Sequence, residues 1–107
     1  MNNAITYEIR YCEEFVIIKV KMHGIITPKD LITTSPPHPG EADFGHKGVV
    51  LFGSMTLWLC AFLTHSMHAT LFVAIYDPRL KAAVVCATHS ERYHIGDLIP
   101  IQKEMIA

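Results

Sequence analysis

The sequence predicts one α/β domain built on a mixed sheet: an N-terminal β-hairpin, one central βαβ crossover and a C-terminal antiparallel hairpin. Three observations carry that expectation. Two β-rich runs near the start, residues 6–12 and 15–22, are separated only by Glu13-Glu14, which fits an antiparallel hairpin. Two later apolar runs, residues 48–52 and 71–76, flank a segment of helical length. The second of these runs into Asp77-Pro78-Arg79-Leu80 and a further β-rich run, residues 82–87, so a turn returns the chain beside it. At 107 residues the chain has room for a single domain spanning residues 1–107.

Each element follows from local chemistry. In residues 15–22, Lys19 and Lys21 alternate with Ile18, Val20 and Met22, so one face of that strand meets water. Thr27-Pro28 opens a short helical segment reaching about Leu31, with Thr27 as N-cap and Pro28 at the first helical position. Residues 33–46 hold three prolines and two glycines and read as a mobile loop. Gly48-Val-Val-Leu-Phe52 is continuously apolar, the pattern of a strand covered on both faces. Gly53-Ser54 breaks it, and residues 55–69 read as a helix with a broad apolar surface. Residues 95–101 are expected to form a last short strand.

Composition narrows the function. The net charge of −1 provides no long-range field for a nucleic-acid backbone, so no DNA partner is expected and any phosphate contact must be local. Half of the residues are hydrophobic, a surplus that points to an interface, with a second copy of the chain as the simplest partner. Cys12, Cys60 and Cys86 are odd in number and widely spaced, consistent with reduced thiols in a cytoplasmic protein. The opening MNNAITYEIR lacks the regions of a signal peptide. Residues 48–76 carry no Lys, Arg, Asp or Glu, yet Gly53-Ser54, Thr64, His65, Ser66 and His68 interrupt them. A buried strand–helix–strand unit therefore fits better than a membrane span.

A parallel βαβ unit sends its chemistry to two ends. Gly53-Ser54 leaves one strand at the N-terminus of the helix, and Asp77 and Arg79 leave the next strand at the same edge, where open α/β sheets bind ligands. Gly53 permits close backbone approach, Ser54 can cap the helix or touch a phosphate, Arg79 can clamp a phosphate, and Asp77 can hold a divalent metal or act as a base. His65 and His68 lie three residues apart at the other end of the helix, and the returning strand brings His89 beside His68. A helix rise of about 1.5 Å per residue puts Ser54 and His68 roughly 20 Å apart. The strand between them puts His68 and Asp77 roughly 15–20 Å apart. Groups that serve one bond must lie within hydrogen-bond reach, so a reaction using both needs two copies of the chain.

These residues carry a resemblance. The stretches KGVVLFG (residues 47–53), WLCAFLTHSMH (58–68), FVAIYDPRL (72–80), THSE (88–91) and IGDLI (95–99) closely resemble the CRISPR-associated ring nuclease 3 family (Csx-three type). The resemblance implies a relative of the CRISPR-associated Rossmann fold, hence a small Rossmann-like sheet, working as a homodimer, with a tetramer or a head-to-tail stack of dimers as the larger form. It implies a Mn2+-dependent phosphodiesterase that cleaves a cyclic oligoadenylate, cyclic tetra-adenylate first among them, and so damps type III CRISPR antiviral signalling. Asp77 and His68 match the catalytic positions, supplied from facing dimers, and Arg79 and His89 match supporting ones. Ligand contacts fall to Gly53, Ser54, Arg79, His65 and His89, and metal ligation to Asp77, His68 and His89. The family's small Gly-rich stretch with a Ser and an Arg is replaced by Phe52-Gly53-Ser54-Met55-Thr56, in which Gly53 alone clearly matches. The alternatives are a non-catalytic cyclic oligoadenylate binder, a manganese-dependent RNA 3′-exonuclease, and a structural dimer module.

Overall fold

The protein, described by a computed structural model over residues 4–107, is a six-stranded sheet whose spatial order repeats the order along the chain. The strands are β1 (Ile5–Tyr11), β2 (Phe15–Met22), β3 (Gly48–Phe52), β4 (Phe72–Asp77), β5 (Ala82–Thr88) and β6 (Leu98–Pro100), with helices α1 (Asp30–Thr33), α2 (Leu57–Ser66) and α3 (Lys103–Ile106). β1 pairs antiparallel with β2, β2, β3 and β4 run parallel, and β5 and β6 are antiparallel to their predecessors. The architecture is thus a mixed α/β sheet with few helices, and both expected hairpins and the β3–α2–β4 crossover are present.

The sheet has two crossovers where the sequence suggested one. β2 also pairs parallel with β3, and the connection between them contains only the four residues of α1 as helix. Successive right-handed crossovers moving in one direction put their connections on one face of a sheet. The core agrees: Ile26 and Phe44 from the first connection and Leu59, Leu63 and Met67 from the second pack on Val49, Leu51 and Val73. Residues 34–47 are therefore anchored rather than loose. Phe44 is fully buried, the Tyr11 hydroxyl donates to the Ala42 carbonyl, and the Lys47 ammonium donates to the Cys12 carbonyl at 2.6 Å.

The opposite face buries Phe15, Ile17, Val50, Phe72, Ala74, Val85 and Ile99, with Met105 and Ile106 of α3 laid against them. No periodic signal announced α3, because four residues give barely one turn of pattern. Lys19 is half-buried on this face and its ammonium donates to the Ile106 carbonyl at 3.0 Å. Gly48 keeps the face flat: a Cβ there would sit 2.0 Å from the Phe72 ring, which stacks against Tyr93 with centroids 4.3 Å apart.

Several local expectations are corrected. α1 begins at Asp30, not at Pro28, and Lys29 takes the N-cap position expected of Thr27, whose N–H donates to the Asp30 carboxylate at 2.7 Å. α2 spans residues 57–66 instead of 55–69, and its N-cap is Thr56, whose hydroxyl accepts from the Leu59 N–H at 3.2 Å. Ser54 lies two residues before that N-cap. The last strand is three residues long because His94 and Asp97 close a turn before it, the His94 N–H donating to the Asp97 carboxylate at 2.8 Å.

Candidate functional site

The edge formed by the C-terminal ends of β3 and β4 collects the first set of residues. Gly53 has φ +136°, and a Cβ there would lie 2.3 Å from the Val20 carbonyl oxygen. The chain leaves β3 hard against β2, and only glycine fits that approach. The Phe52 and Tyr76 rings, one step before the break on β3 and β4, meet with centroids 4.8 Å apart. A hollow of about 250 Å3 is lined by Phe52, Gly53, Ser54, Tyr76 and Pro78.

Asp77 and Arg79 stand at this edge as a pair. The Arg79 N–H donates to Asp77 Oδ1 at 2.9 Å, its Nε to Oδ1 at 3.3 Å and its Nη2 to Oδ2 at 3.0 Å. These bonds and the adjacent cation hold the Asp77 carboxyl below the usual carboxylate range, because they favour the ionised form. Such a carboxylate is a weaker base but a better-fixed anion. Arg79 is largely exposed, and its Nη1 group is left facing solvent, where it can meet a phosphate.

The opposite edge gathers the three histidines. His65 is in the last turn of α2, and His68 follows in the turn that closes it. Their rings are nearly parallel, 11° apart with centroids at 5.4 Å. His68 Nδ1 is 3.2 Å from the His65 carbonyl, and His89 Nε2 is 2.9 Å from the His68 carbonyl. A carbonyl oxygen only accepts, so each of these nitrogens carries the proton. His68 therefore presents Nε2, and His89 presents Nδ1, as the free ring atom. The His89 backbone is also fixed, its N–H donating to the Leu71 carbonyl at 2.8 Å.

β4 separates the two sets. From Phe72 to Asp77 the strand makes five steps of about 3.3 Å each, so His68 and Asp77 are at opposite ends of it. The structure brings together Gly53, Ser54, Asp77 and Arg79 on one edge and His65, His68 and His89 on the other, as the sequence implied. It does not bring Asp77 to His68 and His89. The expected metal set of Asp77, His68 and His89 is thus not assembled within one chain. Among the described residues no group of three or more His, Cys, Asp or Glu is placed to hold a metal ion. All three cysteines are free, and among the described residues no helix is long and apolar enough to cross a membrane.

Sequence reading missed the aromatic pair of Phe52 and Tyr76. Its signal was present in the parallel register of β3 and β4, which aligns Leu51 with Ile75 and therefore brings the next residue of each strand side by side.

A mixed α/β sheet with a ligand-suited edge where parallel strands end, and a histidine cluster at the far pole, defines a small single-sheet protein with its polar chemistry divided between two ends. The chain belongs to the family described as CRISPR-associated protein (Cas_csx3), whose model matches residues 19–100. A protein of Aquifex aeolicus (strain VF5), described as "Uncharacterized protein", is 33% identical over 87 residues, covering 81% of this chain and 78% of that protein.

Proposed function

We propose that this protein is a ring nuclease that binds a cyclic oligoadenylate, cyclic tetra-adenylate first among them, between copies of the chain and cleaves it. Membership of a CRISPR-associated family supports the biological setting, and the Rossmann-like relationship of the sheet is part of the same reading. The observation that carries the proposal is the division of polar groups. Asp77 and Arg79 stand at the C-terminal end of β4, and His68 and His89 stand beyond its N-terminal end, so one bond meets both sets only when two copies face each other. An apolar collar supports a seat for that second copy: Ile25, Leu57 and Leu80 lie on the Asp77 edge and are 98%, 88% and 50% exposed.

In this reading the ring phosphates sit against the exposed N–H groups of Gly53-Ser54 and the free Nη1 of Arg79. Asp77, fixed by Arg79, orients the ribose 2′-hydroxyl toward phosphorus and takes its proton. The 2′-oxygen–phosphorus bond forms, the phosphorus–5′-oxygen bond breaks, and a protonated His68 of the facing copy delivers a proton from Nε2 to the leaving 5′-oxygen. The product is a linear strand ending in a 2′,3′-cyclic phosphate. The family resemblance implies manganese, but among the described residues of one chain no group of three or more His, Cys, Asp or Glu is placed to hold it, and no step here is routed through the metal.

The test is to incubate the protein with cyclic tetra-adenylate, with and without manganese, and separate the products. Asp77→Ala and His68→Ala should each abolish cleavage, and mixing the two variants should restore part of it. Recovery of no activity in the mixture counts against a shared site. A second reading, a messenger-binding protein that does not cut, draws on the Asp77–Arg79 pair, since a carboxylate held below its usual range is a poor base. Tight binding with the ring intact after hours would favour it.

A further inference from the structure

Phe52 belongs to two hollows at once, and that position has a chemical meaning. It lines the hollow of about 250 Å3 with Gly53, Ser54, Tyr76 and Pro78. It also lines a broader basin of about 520 Å3 with Thr6, Tyr7, Glu8, Lys19, Val20 and Lys21. Both lie where β2 and β3 end, and the larger is in the size range of small-molecule sites in general, roughly 300–1,000 Å3. The pairings Thr6–Lys21 and Glu8–Lys19 across β1 and β2, and Lys19–Phe52 across β2 and β3, put these side chains on one face of the sheet. It is the face away from α2.

The basin joins aromatic surface to positive charge. Phe52 and Tyr76 present two rings tilted by 50°, neither of them fully buried. Lys21 is exposed, and the half-buried Lys19 donates from its ammonium to the Ile106 carbonyl at 3.0 Å. The one acid in the lining is neutralised locally, since Arg10 Nε lies 2.9 Å from Glu8 Oε2 and Lys19 adds to the field that holds the Glu8 carboxyl below its usual range. Aromatic faces beside a cationic rim are how single-stranded nucleic acid is held without base-specific hydrogen bonds.

We infer that Phe52 and Tyr76 form the stacking wall of a nucleotide subsite. It takes one base of the bound ring against the surface that Phe52, Tyr76 and Pro78 form together, and Lys19 and Lys21 receive the phosphate on the far side of that base. The inference deepens the proposed function and rests on it for the identity of the base. It also gives a reason for a bulky ring at the end of β3: Gly53 lets the chain turn hard against the Val20 carbonyl, while Phe52, one residue before, carries the base.

Binding of cyclic tetra-adenylate to the full chain tests it. Phe52→Leu retains an apolar side chain and removes the ring; it should weaken binding about tenfold and leave the salt dependence unchanged. Lys21→Gln should reduce the slope of log affinity against log salt by about one. A ring carrying 8-azidoadenosine, irradiated on the unaltered protein, should label peptides containing Phe52 or Tyr76. Unchanged affinity in Phe52→Leu, or label found only elsewhere, overturns the subsite. Binding that depends on Phe52 but leaves the ring uncut supports the subsite and removes the nuclease reading. Full cleavage and affinity in Phe52→Leu does the reverse, and absence of any binding overturns both.

Discussion

The Arg79 guanidinium closes on both carboxylate oxygens of Asp77, with Nη2 3.0 Å from Oδ2 and Nε 3.3 Å from Oδ1. The residue expected to clamp a phosphate is thus also the residue that sets the ionisation of its acidic neighbour. Two residues of separation and a turn whose Leu80 N–H donates to the Asp77 carbonyl at 3.1 Å make the pair a local unit.

The sign of its pH dependence follows. The folded-state pKa of Asp77 is depressed, chiefly by the Arg79 side chain. Its stabilisation is fully present above the unfolded carboxylate value, near 4, and is lost as pH falls through the lower folded value. Arg79→Gln should move the Asp77 carboxyl midpoint upward toward the ordinary range in a carbon-13 NMR titration. An unmoved midpoint would mean that the guanidinium is not its cause.

Gly53 is limited both by conformation and by space. Its φ of +136°, and the mere 2.3 Å that would separate an alanine Cβ from the Val20 carbonyl oxygen, leave alanine no unstrained position. Gly53→Ala should cost about 2 kcal/mol or more, lowering Tm by about 10 °C in a domain of this size. Thermal denaturation followed by circular dichroism reads this directly.

Thr56 and Ser54 separate stability from binding. Thr56→Ala removes the hydroxyl that accepts from the Leu59 N–H and should cost about 1 kcal/mol. Ser54→Ala touches no cap and should leave chemical denaturation unchanged while weakening affinity for cyclic tetra-adenylate. Equal destabilisation by both would return the cap to Ser54.

His89 acts on His68 through a backbone carbonyl 2.9 Å from its Nε2. His68→Ala should lower the cleavage rate by at least 100-fold, the scale of a lost general acid. His89→Ala should lower it about tenfold with little change in stability. The rate of a single turnover distinguishes the two, and an equal loss in both would place His89 at the reacting bond.

Much of this arrangement was legible before the structure. β3 is where its unbroken apolar run put it, and β4 and β5 differ from expectation only at their ends. The separation of Asp77 from His68 needed only chain direction and strand rise. What escaped was set by tertiary contacts. The connection that makes β2 and β3 parallel neighbours buries Phe44 in the core, a contact that no local period reports. α2 stops at Ser66 instead of running to residue 69, and the Thr64 and Ser66 hydroxyls turn back on the Cys60 and Phe62 carbonyls in its last turn, bonds that compete with helix continuation. The closure of Arg79 on Asp77 and the tautomers of His68 and His89 are side-chain contacts, which spacing alone does not specify.

A strand order that repeats chain order also governs assembly. Each strand from β2 onward docks on the one synthesised just before it, so the sheet can grow in step with translation and never waits for a distant partner. The exception is α3, which reaches back across β2. Residues 103–106 come after all six strands in chain order, so the apolar face over Ile17 and Val50 receives Met105 and Ile106 only once every strand has been made.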